Sequence, residues 1–125
     1  MTRGKVLVVD DDDEVQEVLA RFLADAGYEV IQAEDGHAAL DAVERERPDL
    51  VLLDIALPGL DGVETLRRLI IRHPDLRVIM VTANAEIPMT TRLVAMGAVD
   101  YVPKPFDLEY LHQAVRVQVG AARER

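Results

Sequence analysis

Leu50-Val51-Leu52-Leu53-Asp54-Ile55-Ala56-Leu57-Pro58-Gly59-Leu60-Asp61-Gly62 is the stretch whose reading decides the fold. Leu50 to Leu53 form a continuous apolar run, short enough to be a strand buried on both faces. The run stops at a lone carboxylate, Asp54. Pro58-Gly59 and Asp61-Gly62 then mark a loop. Beyond it Val63, Leu66, Leu69 and Ile70 recur at helical spacing, up to a stop near His73-Pro74.

The same strand-then-helix unit repeats on either side. Lys5 to Val9 is apolar and β-branched, and Val15, Val18, Leu19, Phe22, Leu23 and Ala26 follow as a helical stripe that Gly27 closes. Glu29-Val30-Ile31 reads as a second strand. Asp35-Gly36 opens a helix carrying Ala39, Leu40 and Val43, with Pro48 just past its end. Val78 to Val81 is a fourth strand, followed by a short helix between Pro88 and Gly97. Tyr101-Val102 is a fifth strand, and Leu108, Leu111, Val115 and Val119 stripe a last helix. Five such units with short connections predict a parallel sheet with helices on both faces. Residues 1–120 read as one domain, and 121–125 as a frayed tail or the start of a linker.

The chain has 125 residues, half of them apolar, enough for one domain with a real core. It has no cysteine, which excludes disulfides and thiolate metal sites. No early apolar run is long enough for a signal peptide or a membrane span, so a cytoplasmic, membrane-free protein is expected. The net charge of -9 argues against nucleic-acid binding by this chain, because phosphate contacts need a basic face. Five consecutive acids, Asp10 to Glu14, supply much of the excess. They read either as a solvated helix start, which the helix dipole favours, or as a cation site.

Ligands of open α/β sheets bind outside the carboxyl ends of the strands, where strand order reverses. The first strand ends in Asp10-Asp11, the third in Asp54 and the fourth in Thr82, while the fifth runs into Lys104. Three crowded carboxylates oppose full ionisation unless a cation joins them. A hard oxygen site with few protein ligands suits Mg²⁺, which keeps waters and shares itself with phosphate. Asp54, alone at its strand end, is the candidate nucleophile for a phosphoryl group. Lys104 and the Thr82 hydroxyl would face the phosphoryl oxygens. Asp12 or Asp13 would cap the first helix. His37, His73 and His112 sit at no strand's carboxyl end and read as surface residues.

Val8-Val9-Asp10-Asp11, Leu52-Leu53-Asp54 with Leu57-Pro58-Gly59 and Asp61-Gly62, Val81-Thr82-Ala83, and Lys104-Pro105-Phe106 together resemble the receiver domain of two-component response regulators. The resemblance runs from about Lys5 to Val119. It implies a flavodoxin-like, doubly wound, five-stranded parallel sheet of order 2-1-3-4-5 with five helices in three layers. It implies a switch that accepts a phosphoryl group from a histidine kinase or phosphotransfer protein on Asp54 and releases no product of its own, so not an enzyme in the ordinary sense. Mg²⁺ would be held by Asp10, Asp11, Asp54 and the Ala56 carbonyl. Thr82 and Tyr101 would carry the switch. The Lys104-Pro105 bond is similar to one that is cis in the family, which marks a defined turn. Ala56 and Asn84 stand where the family tunes phosphoryl lifetime, and neither is an obvious base for water, which implies slow self-hydrolysis.

The family signals through helix four, strand five and helix five. Here that face would carry Met89, Leu93, Tyr101, Tyr110 and Val117, with Val94, Met96 and Ala114 nearby, as a dimer or effector surface. Ala114 stands where one DNA-binding subfamily has a dimer-interface arginine, which weighs against that dimer. Two other classes stay open at this point. Asp10-Asp11-Asp12 superficially resembles the D-x-D of haloacid-dehalogenase-type phosphatases, and a pseudo-receiver would bind partners without accepting phosphate.

Overall fold

The computed structural model describes residues 2–83 and 87–124. Five strands, β1 (Lys5–Val9), β2 (Glu29–Ala33), β3 (Leu50–Asp54), β4 (Arg77–Thr82) and β5 (Asp100–Pro103), form one parallel sheet in the order β2-β1-β3-β4-β5. Between and after them run α1 (Asp13–Asp25), α2 (Gly36–Glu46), α3 (Gly62–Arg72), α4 (Ile87–Ala95) and α5 (Leu108–Arg123).

The apolar strands serve two cores because successive side chains point to opposite faces. Leu7, Val9, Val51, Leu53, Val78 and Met80 pack against α2, α3 and α4. Val6, Val8, Leu50, Leu52, Ile79 and Val81 pack against α1 and α5. This two-sided burial is why the strands read as continuous apolar runs rather than alternating ones.

Aspartates fix where the helices start. Asp12, Asp35, Asp61 and Asp107 are the N-caps of α1, α2, α3 and α5, each accepting from backbone N–H groups of the first turn. Of the two candidates for the first cap, Asp12 takes the role and Asp13 starts the helix.

Several expectations need correction. Val18 was placed on the buried stripe of α1 but is 51% exposed. The buried residues are Gln16, Leu19 and Leu23, and Val18 lies about 100° around the helix from Leu19. Helix α5 runs to Arg123, which stands 3.6 Å from Asp49. His112 is half-buried rather than fully at the surface: its ring packs edge-on against Phe22 and Tyr28. His73 pairs with Glu44 at 3.2 Å, and His37 is exposed as read.

Candidate functional site

The carboxyl ends of β1, β3, β4 and β5 meet at one edge of the sheet. Asp54 is the last residue of β3, beside Val81 of β4. Thr82 ends β4 opposite Pro103, and the Lys104 N–H donates to the Thr82 carbonyl at 2.8 Å, which carries the chain from β5 straight into the cleft. Asp10 follows β1 and its N–H donates to the Ala33 carbonyl at 3.2 Å. The Lys104-Pro105 peptide bond is cis.

The site is buried where it is charged. Asp10, Asp54 and Thr82 are only 2%, 5% and 2% exposed, while Asp11 stands in the open. Carboxylate oxygens of Asp10, Asp11 and Asp54 all lie within 4.8 Å of one another, close enough to share a metal ion. The donor set is all oxygen and carries three negative charges, which matches a hard divalent cation. The Lys104 ammonium donates to Asp10 Oδ2 at 3.0 Å and to Asp54 Oδ2 at 3.3 Å. The Ala56 N–H donates to the other Asp54 oxygen at 3.3 Å.

These neighbours set opposing pulls. Burial, and next the charge of Asp10, push the Asp54 carboxyl above its ordinary value, against the opposite pull of Lys104 and the Ala56 N–H. Burial alone would lower Lys104, but its hydrogen bonds and charge contacts with Asp10 and Asp54 outweigh burial and hold it above the usual lysine range. The lysine is therefore a fixed cation beside the acids.

Asp54, Ile55, Ala56, Thr82, Ala83 and Lys104 line a cleft of about 180 Å³. A larger hollow of about 400 Å³ lies at the opposite edge, among Arg47, Asp49, Arg72, His73 and Asp75. Size does not choose between them. Of the two, the smaller cleft is lined by the polar ends of β3, β4 and β5, and its Lys104 also reaches Asp10 at the end of β1. Behind the Asp54-Ile55 backbone lies Gly62, where a Cβ would collide with the Asp54 carbonyl oxygen and Ile55 Cα. Position 62 thus admits only glycine while the loop passes this close to β3.

The other positions singled out in the sequence divide. Tyr101 is half-buried against the α2-α3-α4 core, with Met89 and Met96. Leu93, expected on a partner face, is 1% exposed and belongs to that core. Ala114, expected near that face, is buried as well. Val94, Tyr110 and Val117 are exposed at 52%, 44% and 62%. Asn84 lies outside the described residues. Sequence reading missed Gln16, whose buried amide donates to the Val8, Asp10 and Ala33 carbonyls. Its spacing to Leu19 and Leu23, three and seven residues on, was the signal available.

Comparison with known proteins agrees with this edge-of-sheet site. The chain matches the family described as response regulator receiver domain over residues 6–116. It is 40% identical over 116 residues to sporulation initiation phosphotransferase F of Bacillus subtilis (strain 168), covering 93% of this chain and 94% of that protein. It is 43% identical over 109 residues to the DNA-binding transcriptional regulator NtrC of Escherichia coli (strain K12), but spans only 23% of NtrC. In three dimensions it resembles a CheY-like response regulator receiver domain protein from Methanospirillum hungatei JF-1, with TM-score 0.89, 29% identity and 96% of each chain covered. It also resembles NtrX from Brucella abortus, with TM-score 0.90 and 33% identity, covering 98% of this chain and 28% of that one. A match that opens in β1, closes in α5 and crosses every residue of the cleft admits one conclusion: the chain belongs to the response regulator receiver domains of two-component systems.

Proposed function

We propose that this receiver domain is a phosphorylation switch in which Asp54 takes a phosphoryl group from a histidine kinase or a phosphotransfer protein. The observation that carries the reading is the Lys104 ammonium held between the buried carboxylates of Asp10 and Asp54, at 3.0 and 3.3 Å. An Asp54 oxygen forms the new bond to phosphorus as the donor's phosphorus–nitrogen bond breaks, and the donor nitrogen leaves with the electron pair. Lys104 then faces a phosphoryl oxygen instead of two carboxylates, and the Thr82 hydroxyl donates to another. Asp10, Asp11, Asp54 and the Ala56 carbonyl would hold Mg²⁺. When bound, Mg²⁺ offsets charge on the phosphoryl oxygens.

The product is a modified Asp54 rather than a released molecule, so the domain acts as a switch and not as an enzyme with an external product. Re-pairing of Thr82 and Lys104 would bias two arrangements of Tyr101, read by a partner or second copy on the α4-β5-α5 face at Met89, Val94, Tyr110 and Val117. We place this activity in the cytoplasm, where such donors act.

Intact-protein mass after incubation with acetyl phosphate and Mg²⁺ tests the proposal. One phosphoryl adduct is expected, absent with EDTA and absent in Asp54→Asn. No adduct on the unaltered chain, with fluoroberyllate also failing to bind, would overturn it.

A further inference from the structure

Gln16 is a buried polar side chain to which the switch assigns no part. It sits in the first turns of α1 and is 7% exposed. Its Nε2 stands 2.7 Å from the Ala33 carbonyl oxygen, 3.0 Å from that of Asp10 and 3.1 Å from that of Val8. These carbonyls close β1 and β2. Only the nitrogen end of an amide can face three acceptors, so chemistry fixes which way round the group sits. Its Oε1 is buried with no donor. An unpaired buried acceptor costs free energy, so a simple space-filler here would be better apolar. The donors are what the position uses.

What they hold is the segment that bears two of the three acids. The Asp10 backbone is gripped at its carbonyl by Gln16, while the Asp10 carboxylate accepts from the Asp12 N–H at 2.9 Å and from Lys104 at 3.0 Å. The helix that carries Gln16 is itself tied to β2, because the Gln32 amide donates to the Gln16 carbonyl at 3.2 Å. One side-chain amide therefore ties the turn from β1 into α1 to the ends of both strands.

We propose that Gln16 is a positioning residue for the cation site: its amide, donating to the carbonyls that end β1 and β2, sets where Asp10 and Asp11 stand and so how tightly a divalent cation binds. This rests on the cation reading given above. Groups that orient metal ligands without touching the metal typically contribute ten- to a hundredfold in affinity. Structural support is a smaller matter here, because the Ala33 carbonyl keeps the Asp10 N–H as a second donor.

The test is Mg²⁺ titration of the folded protein, followed by backbone amide shifts of Asp10 to Asp12, with the unaltered chain beside Gln16→Met. Methionine keeps the length and removes the donors. The expected result is about tenfold weaker Mg²⁺ binding in Gln16→Met, at a temperature where circular dichroism shows both folded. Equal affinity would overturn the proposal, even if the variant melts earlier, since a purely structural role lowers Tm without moving Kd. If Gln16→Met does not fold, Gln16→Asn, whose amide is too short to reach, is read by the same criterion. Failure of the unaltered chain to bind Mg²⁺ would instead overturn the cation reading, and this inference with it.

Discussion

Two lysines in this protein each bridge two carboxylates, at opposite edges of one sheet. Lys5, at the start of β1, lies 3.8 Å from Glu29 and 3.5 Å from Glu46. Lys104, just past β5, lies 3.0 Å from Asp10 and 3.3 Å from Asp54. The lysines are similarly exposed, at 29% and 23% of their side chains. Their partners are not: Glu29 and Glu46 are 50% and 32% exposed, Asp10 and Asp54 only 3% and 6%. Water can solvate the first pair of acids if the lysine leaves. It cannot do so for the second, which needs a cation of some kind. The difference teaches that a receiver site is marked by the burial of its acids, more than by their number.

Replacing each lysine in turn is the sharpest way to break this comparison. Lys104→Met is expected to lower the stability of the metal-free protein by about 2 kcal/mol, between the values for exposed and buried pairs, measured by urea unfolding. Adding Mg²⁺ at ten times its Kd should stabilise the unaltered protein by about 1.4 kcal/mol, read as a rise in Tm, and should recover part of the Lys104→Met loss. The same ion should leave the Lys5→Met difference where it was. Lys5→Met itself is expected to cost under about 0.5 kcal/mol, and a loss matching that of Lys104→Met would sink the contrast.

The smallest effect is in pH. In the metal-free protein the Asp54 carboxyl lies above 3.8, chiefly through burial and then Asp10. The folded state thus holds this proton more tightly than the unfolded chain does. Stability from Asp54 is complete below 3.8 and is lost as pH rises through the folded value. Glu64, partly exposed on α3, runs the other way, lowered from 4.5 to about 2, first by its hydrogen bond from Arg67. Its contribution is present above 4.5 and is lost as pH falls toward about 2. Carbon-13 titration of the two carboxyls should show midpoints on opposite sides of the usual range. Added salt should pull Glu64 back and move Asp54 little. Coincident midpoints would remove the distinction between buried and solvated acids.

Much of this was legible because strands and caps speak locally. The buried strands announce themselves as continuous apolar runs, and each of β1, β3 and β4 ends at or just before a polar side chain that the sheet then aligns. What stayed hidden was decided by which side of a helix faces inward. In α4 and just past it, Met89, Leu93, Val94 and Met96 are apolar all round, so their pattern does not say that Leu93 enters the core while Val94 stays out. In α1 the apolar stripe does not include Gln16, yet Gln16 is buried because backbone carbonyls, invisible in a pattern of side chains, wait for it. His112 was misplaced for a related reason: its partners, Phe22 and Tyr28, lie far away in sequence.

Gly62 carries a consequence for anyone who maps this domain by saturation mutagenesis. Every replacement begins with a Cβ, and at this position the Cβ meets the carbonyl of Asp54. Conservative and radical substitutions should therefore fail alike, giving a flat column in the data. A column of that shape is usually taken as the signature of a chemical group, yet here the residue has none to offer: its contribution is to be absent from a space that the backbone already fills.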